Sequence, residues 1–173
     1  MLIRREAGGD PGAVAHVHAR AFEPPEGRRE PVEVALVDEL RRSPAWLPRL
    51  SLVAVAAGAV VGHVVCSRAE VGPQRLPALG LGPLGVDPAH QGRGIGSALM
   101  HAVLGAADAC DEPLVGLLGE PAYYRRFGFV PATELAIDAP DAGWGDYFQV
   151  RPLTAYAPRL RGRFAYAPPF TGL

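Results

Sequence analysis

The rhythm of apolar and polar residues changes several times along the 173 positions, and each rhythm predicts an element. "LIRREA", residues 2–7, reads as a first strand. Asp10 and Pro11 then open a helix, because Val14, Val17, His18, Ala21 and Phe22 recur at spacings of three and four. "EPPEGRREP" breaks that period as a loop, and "VEVALVDELRRS" resumes it with Val34, Val37 and Leu40 inward. From Leu50 to Cys66 the chain is nearly all apolar. This run is shorter than the roughly 20 residues a membrane helix needs. It contains Gly58, Gly62 and His63 and is rich in valine, so it predicts a buried hairpin turning at Ala57 and Gly58.

After a loop at "EVGPQRLPA", the segment "LGLGPLGV" reads as a fourth strand, an unusual one. Gly80, Gly82, Pro83 and Gly85 all weaken a central strand; they mark a bulge or a close approach and leave backbone groups free for other partners. The turn "DPAHQ" leads into a helix whose stripe is Ile95, Leu99, Val103 and Ala106. "PLVGLLG" is a short buried strand, "PAYYRRF" a helical turn or two, and "GFVPA" another strand. Two more strands are predicted near residues 147–150 and 162–166, packed on the same domain. The alternation of strand and helix predicts an α/β or α+β sheet domain.

Composition narrows the function. The length suits one domain, residues 1–173, divided into an N-terminal part (1–75), a core (76–133) and C-terminal strands (134–173). A net charge of −1, with every basic residue an arginine and no basic helix, gives no electrostatic reason to bind nucleic acid or a membrane surface. Cys66 and Cys110 have no metal-ligand spacing, so no metal is expected, and they suit a reducing compartment as small buried hydrophobes. The start "MLIRREAGGDPG" lacks the apolar core of a signal peptide, and a cytoplasmic protein is expected.

The candidate chemistry lies in "HQGRGIGSALM". A glycine inside a helix costs about 1 kcal/mol relative to alanine, so three at alternate positions need a reason. The first amides of a helix lack internal partners and lie at its positive end. Bare backbone at Gly92, Gly94 and Gly96, with Arg93 beside it, lets a pyrophosphate reach them; the other reading is a tight turn with purely geometric glycines. A P-loop is excluded because the chain has no lysine. The dinucleotide fingerprint fails as well, since its third glycine falls on Ser97 or Leu99.

Gln91, Gly94 and Gly96 complete a Gln/Arg-x-x-Gly-x-Gly/Ala pattern, and Tyr123, Tyr124, Gly128 and Phe129 complete an aromatic-Tyr-x-x-x-Gly-Phe pattern downstream. With both motifs in this order, the chain resembles the GNAT superfamily of N-acetyltransferases; "EPAYYRRFGF" and the "YFQV" to "PPF" ending resemble its YhbS-like branch. The resemblance implies a mixed, largely antiparallel sheet of six to seven strands with splayed central strands, helices on both faces and an extra C-terminal strand. It implies acetyl-CoA as co-substrate, with Gln91, Gly92, Arg93, Gly94, Ile95, Gly96 and Ser97 holding the pyrophosphate. Leu84, Gly85 and Val86 would offer backbone groups to the pantetheine arm and thioester carbonyl. Tyr124 would protonate the departing thiolate, unless it packs as a core aromatic as Tyr123 does. The acceptor would be a primary amine of a small molecule or peptide attacking directly in a ternary complex, and homodimers occur among similar proteins. A non-catalytic acyl-CoA-binding sensor is the alternative.

No base announces itself. An amine of pKa near 10 is about one part in a thousand neutral at pH 7, roughly 4 kcal/mol uphill. The fourth strand carries no titratable side chain. His63 has a suitable intrinsic pKa but also suits a structural role, and Glu33, Glu39 and Glu120 suit a solvated surface equally well. The acceptor region implied by the resemblance carries Phe22, Trp46, Trp144, Tyr147 and Phe148.

Overall fold

The computed structural model describes residues 1–24, 26–27 and 29–172. Strand β1 (Leu2–Arg5) leads to helices α1 (Pro11–Ala21) and α2 (Val32–Arg42). The hairpin β2 (Ser51–Ala56) and β3 (Ala59–Val71) turns where expected, with Ala57 and Gly58 at φ 49° and 81°. Strand β4 (Leu76–Val86), α3 (Ile95–Asp108), β5 (Leu114–Leu118) and the short α4 (Pro121–Tyr124) follow. The chain ends with β6 (Val130–Pro131), β7 (Ile137–Asp138), β8 (Phe148–Pro152) and β9 (Gly162–Ala165).

Seven strands run in the order β1-β2-β3-β4-β5-β8-β6, and β9 extends the far end of β3 and pairs with β7. Neighbours are antiparallel except β4 with β5 and β7 with β9. Helices cover both faces. A side chain at Gly62 would run into Leu99 and Ile95 of α3, whereas one at Gly85 would run into His18 of α1 and Phe22 just after it.

Several boundaries differ from the sequence reading. "EVGPQRLPA" is mostly strand, because Glu70 and Val71 pair with Pro77 and Leu76 and only residues 72–75 turn, with Gly72 and Arg75 at positive φ. Strand β1 stops at Arg5, and "GFVPA" contributes only the two residues of β6. Leu36, not Val34, joins Val37 and Leu40 in the buried face of α2, and Ala107 is buried more fully than Ala106 in α3. Cys66 is buried but Cys110 is only half-buried.

Ladder pairing between β4 and β5 covers only Leu79 with Val115 and Gly80 with Gly116. Beyond that point the two strands separate, so Leu81–Val86 form one arm of an open V and Leu117–Leu118 the other. Among the described residues, no helix is long and apolar enough to cross a membrane.

Candidate active site

A cavity of about 870 Å³ occupies this opening, bounded by Leu81–Leu84 of β4 and Leu118 of β5, with Tyr124 beside them. In an antiparallel pair the backbone groups alternate between facing the partner and facing away. Asp87 donates to the Val61 carbonyl at 2.9 Å, which sets the phase. Gly85 therefore bonds toward β3, while Leu84 and Val86 turn their amides and carbonyls to the open side. The Val86 carbonyl accepts from Gln91 Nε2 at 2.9 Å, tying the glycine loop to the end of β4.

Gly92 and Gly94 have φ 72° and 77°, a left-handed conformation that favours glycine, and a Cβ on either would meet nothing within 4 Å. Turn geometry and an unobstructed outer surface thus coincide in the same two residues. The first intrahelical bond of α3 is Ala98 N–H to the Gly94 carbonyl. Among the described residues, the amides of Gly92, Arg93, Gly94, Ile95, Gly96 and Ser97 have no backbone or side-chain acceptor, and no side chain caps the helix. Arg93 is exposed and makes no ion pair with described residues.

Tyr123 and Tyr124 join this loop to the cavity. A Cβ on Gly96 would lie 3.1 Å from the Tyr123 hydroxyl, and the Tyr123 and Tyr124 rings meet edge to face at 5.0 Å. Burial, and then the nearby Tyr123, push the Tyr124 phenol up to about 12, so it holds its proton throughout the neutral range. Its ring occupies the space above Gly119, where an added Cβ would come within 2.3 Å of a ring carbon. We expect Gly119→Ala to displace Tyr124 and cost about 1–3 kcal/mol of stability by overpacking. The control Gly105→Ala, in open space on α3, should gain about 1 kcal/mol from helix propensity. Thermal melts of the two variants check the contrast, and equal melting temperatures would contradict it.

Residues 48–131 match the family model of the acetyltransferase (GNAT) domain. The uncharacterised N-acetyltransferase YhbS of Escherichia coli K12 is 32% identical over 154 residues, spanning 88% of this chain and 87% of that protein. The chain belongs to the GNAT family of N-acetyltransferases. Among GNAT structures, E. coli YhbS in complex with CoA superposes with a TM-score of 0.87 at 29% identity, covering 98% of this chain and 91% of that one. A GNAT acetyltransferase from Brucella melitensis in complex with acetyl-CoA superposes with a TM-score of 0.78 at 33% identity, covering 98% and 97%.

Within this GNAT chain the other candidates separate clearly. Glu33 and Trp144 line the cavity, as does Phe22. Glu120 instead accepts from the Ala122 amide as the cap of α4, and Glu39 is exposed. Trp46 packs beside Arg41 in a separate cleft, Phe148 is core, and Tyr147 is exposed. His63 is fully buried and does not line the cavity. The sequence reading missed Tyr166 and Phe170, stacked at 4.6 Å in the cavity wall, because nothing local distinguishes them from core aromatics.

Proposed function

We propose that this protein transfers the acetyl group of acetyl-CoA to a primary amine by direct attack within a ternary complex. The observation that carries this reading is the run of six acceptor-free amides at residues 92–97, joined through Gln91 to a strand opened beside a large cavity. Such a run suits linked phosphates, since each oxygen can accept from converging N–H groups at the positive end of a helix. The bound coenzyme would supply an activated thioester. The amides of Leu84 and Val86 then serve as donors to the pantetheine arm and to the carbonyl oxygen as charge develops on it. With its proton retained, Tyr124 donates to the departing sulfur.

The test is a screen of small amines, amino acids and peptide N-termini with acetyl-CoA, following release of free CoA. Acetylation of at least one amine is expected. Tight acetyl-CoA binding with no transfer to any of them would favour a sensor. We further expect Gly94→Val to weaken acetyl-CoA at least tenfold by calorimetry. A β-branched residue at φ 77° is strained by about 1–3 kcal/mol, and its side chain would stand where the phosphates approach. Unchanged affinity would reduce the glycines to turn geometry.

A further inference from the structure

Four polar side chains from distant parts of the chain meet beneath the cavity wall, on the face of the sheet covered by α1. Glu6 lies just after β1, His18 on α1, Ser51 at the start of β2 and His63 on β3. His18 Nε2 is 2.8 Å from His63 Nδ1, and His63 Nε2 is 2.9 Å from Ser51 Oγ. Ser51 donates to Glu6 Oε2 at 2.5 Å, and Arg41 Nε donates to the other carboxylate oxygen at 2.7 Å. Both histidines and Ser51 are fully buried.

The proton positions follow from the outer end inward. Glu6 is a carboxylate, held down to about 2 against the cost of its burial by the nearby His63 Nε2–H, 3.4 Å from Oε2, and by hydrogen bonds from Ser51 and Arg41. The Ser51 hydroxyl proton must therefore point at Glu6, which leaves its oxygen to accept from His63 Nε2–H. A neutral His63 then has a lone pair on Nδ1, which accepts from His18 Nε2–H. Burial above all keeps both imidazoles neutral. The chain thus ends in a lone pair on His18 Nδ1, which is buried and has no hydrogen-bond partner. That nitrogen lies only 2.8 Å from where a Cβ of Gly85 would be, so it fills the place of the side chain that β4 lacks. Phe22, at the end of α1, stacks on His18 and lines the cavity, as does Leu84 next to Gly85.

We propose that His18 Nδ1 is the proton acceptor of the transfer reaction, with His63, Ser51 and Glu6 behind it as a relay. The proposal rests on the transferase reading above. His18 is fully buried beneath the Phe22 ring that lines the cavity, and that ring must swing aside for the acceptor nitrogen to reach Nδ1. As Nδ1 takes a proton, His18 Nε2–H passes its proton to His63 Nδ1, His63 Nε2–H to Ser51 Oγ, and the Ser51 hydroxyl to Glu6 Oε2. One proton enters and one arrives, both rings stay neutral, and the buried negative charge on Glu6 is discharged. After the products leave, the same transfers in reverse return the proton to the cavity. The charges facing the chain are Glu6 itself, Arg41 from α2 and Asp10 before α1; β4 contributes none.

A relay this weak, ending on a Glu6 carboxylate that hydrogen bonds hold down to about 2 against its burial, cannot strip an ammonium. It serves the nitrogen once that atom has bonded to the acyl carbon and become strongly acidic. The amine must therefore enter neutral, and kcat/KM for the amine should rise with pH up to the amine's own pKa.

The test uses the fastest amine of the screen with His18→Gln, Ser51→Ala and Glu6→Gln, each first checked for folding and acetyl-CoA affinity. Each is expected to lower kcat at least tenfold, with the KM for acetyl-CoA within twofold of wild type. Mixtures of light and heavy water should give a bowed rate dependence for wild type, from several protons moving together, and a straight one for Ser51→Ala. Nitrogen NMR of wild type should find both imidazoles protonated at Nε2 and bare at Nδ1. A retained kcat, a loss of kcat with the isotope pattern unchanged, or a proton on His18 Nδ1 would each overturn the relay while leaving the transferase standing. A wild-type protein inactive toward every amine would instead remove the transferase reading, and the role of His18 with it.

Discussion

Tyr124→Phe should lower kcat about 100-fold or more while leaving acetyl-CoA affinity unchanged. The substitution removes one oxygen and its proton and keeps the ring that packs against Tyr123 and Phe129 at 5.0 and 5.8 Å. Packing therefore survives and only the hydrogen-bond donor is lost. A positioned general acid contributes about 10²–10⁴-fold. The phenol is suited to that part because its pKa, pushed up to about 12 chiefly by burial, keeps it protonated wherever a thiolate needs protonation. The measurement is steady-state turnover at saturating acetyl-CoA, paired with calorimetric affinity. A variant that turns over at the wild-type rate would return Tyr124 to the role of a core aromatic. A variant that fails to bind the coenzyme would show that its hydroxyl organises the cavity rather than the chemistry.

The parts of this site that are contiguous in the chain were legible in it. Residues 91–97 and 123–129 each form one local unit, a helix entrance and a helical turn, so their spacing, taken together with the family resemblance, points to their geometry. The hairpin turn at Ala57 and Gly58 and the start of α1 at Pro11 were legible for the same reason. Long-range pairing overrode local signals elsewhere. Gly72, Pro73 and Pro77 punctuate like a loop, yet β3 continues to Val71 because β9 pairs with its far end and β4 with its other edge. The glycines of β4 suggested free backbone, and the edge of the strand that faces β5 is indeed unpaired past Gly80, while its other edge stays paired with β3. Their immediate physical reason is different. Gly80 is the seat of the Tyr166 ring and Gly85 that of His18, each of which would clash with a Cβ below 3 Å. The His18 to Glu6 chain was invisible, since its links join residues 45 and 12 apart. A helix period shows only that His18 faces inward, not that a second histidine waits there.

That same buried chain should make the fold sensitive to acid in two stages. His18 has an ordinary pKa of 6.5 that burial lowers to about 3, and His63 is lowered in the same direction. In the unfolded chain both imidazoles take protons as pH falls through 6.5, while the folded chain refuses them, so stability present above that pH is lost below it. At about 1.4 kcal/mol for each tenfold change in proton affinity, His18 alone accounts for roughly 5 kcal/mol between pH 6.5 and 3. Glu6 adds a second stage with the same sign. Unfolded, it protonates near 4.5; folded, the nearby His63 and hydrogen bonds from Ser51 and Arg41 outweigh its burial and hold it at about 2, worth roughly 3 kcal/mol. By pH 4 about 3.5 kcal/mol of the His18 contribution and less than about 1 kcal/mol of the Glu6 contribution are gone, a large share of the about 5–15 kcal/mol total of a typical domain. Urea midpoints at half-unit steps from pH 7.5 to 3.5 measure the course directly. The midpoint should begin to fall at about pH 6.5, and Glu6→Gln should remove the carboxylate's own contribution below about 4.5 while making the imidazoles still harder to protonate above it. A midpoint constant from 7 to 4.5 would mean that the imidazoles are charged in the fold, and the proton arrangement that leaves His18 Nδ1 bare could not stand.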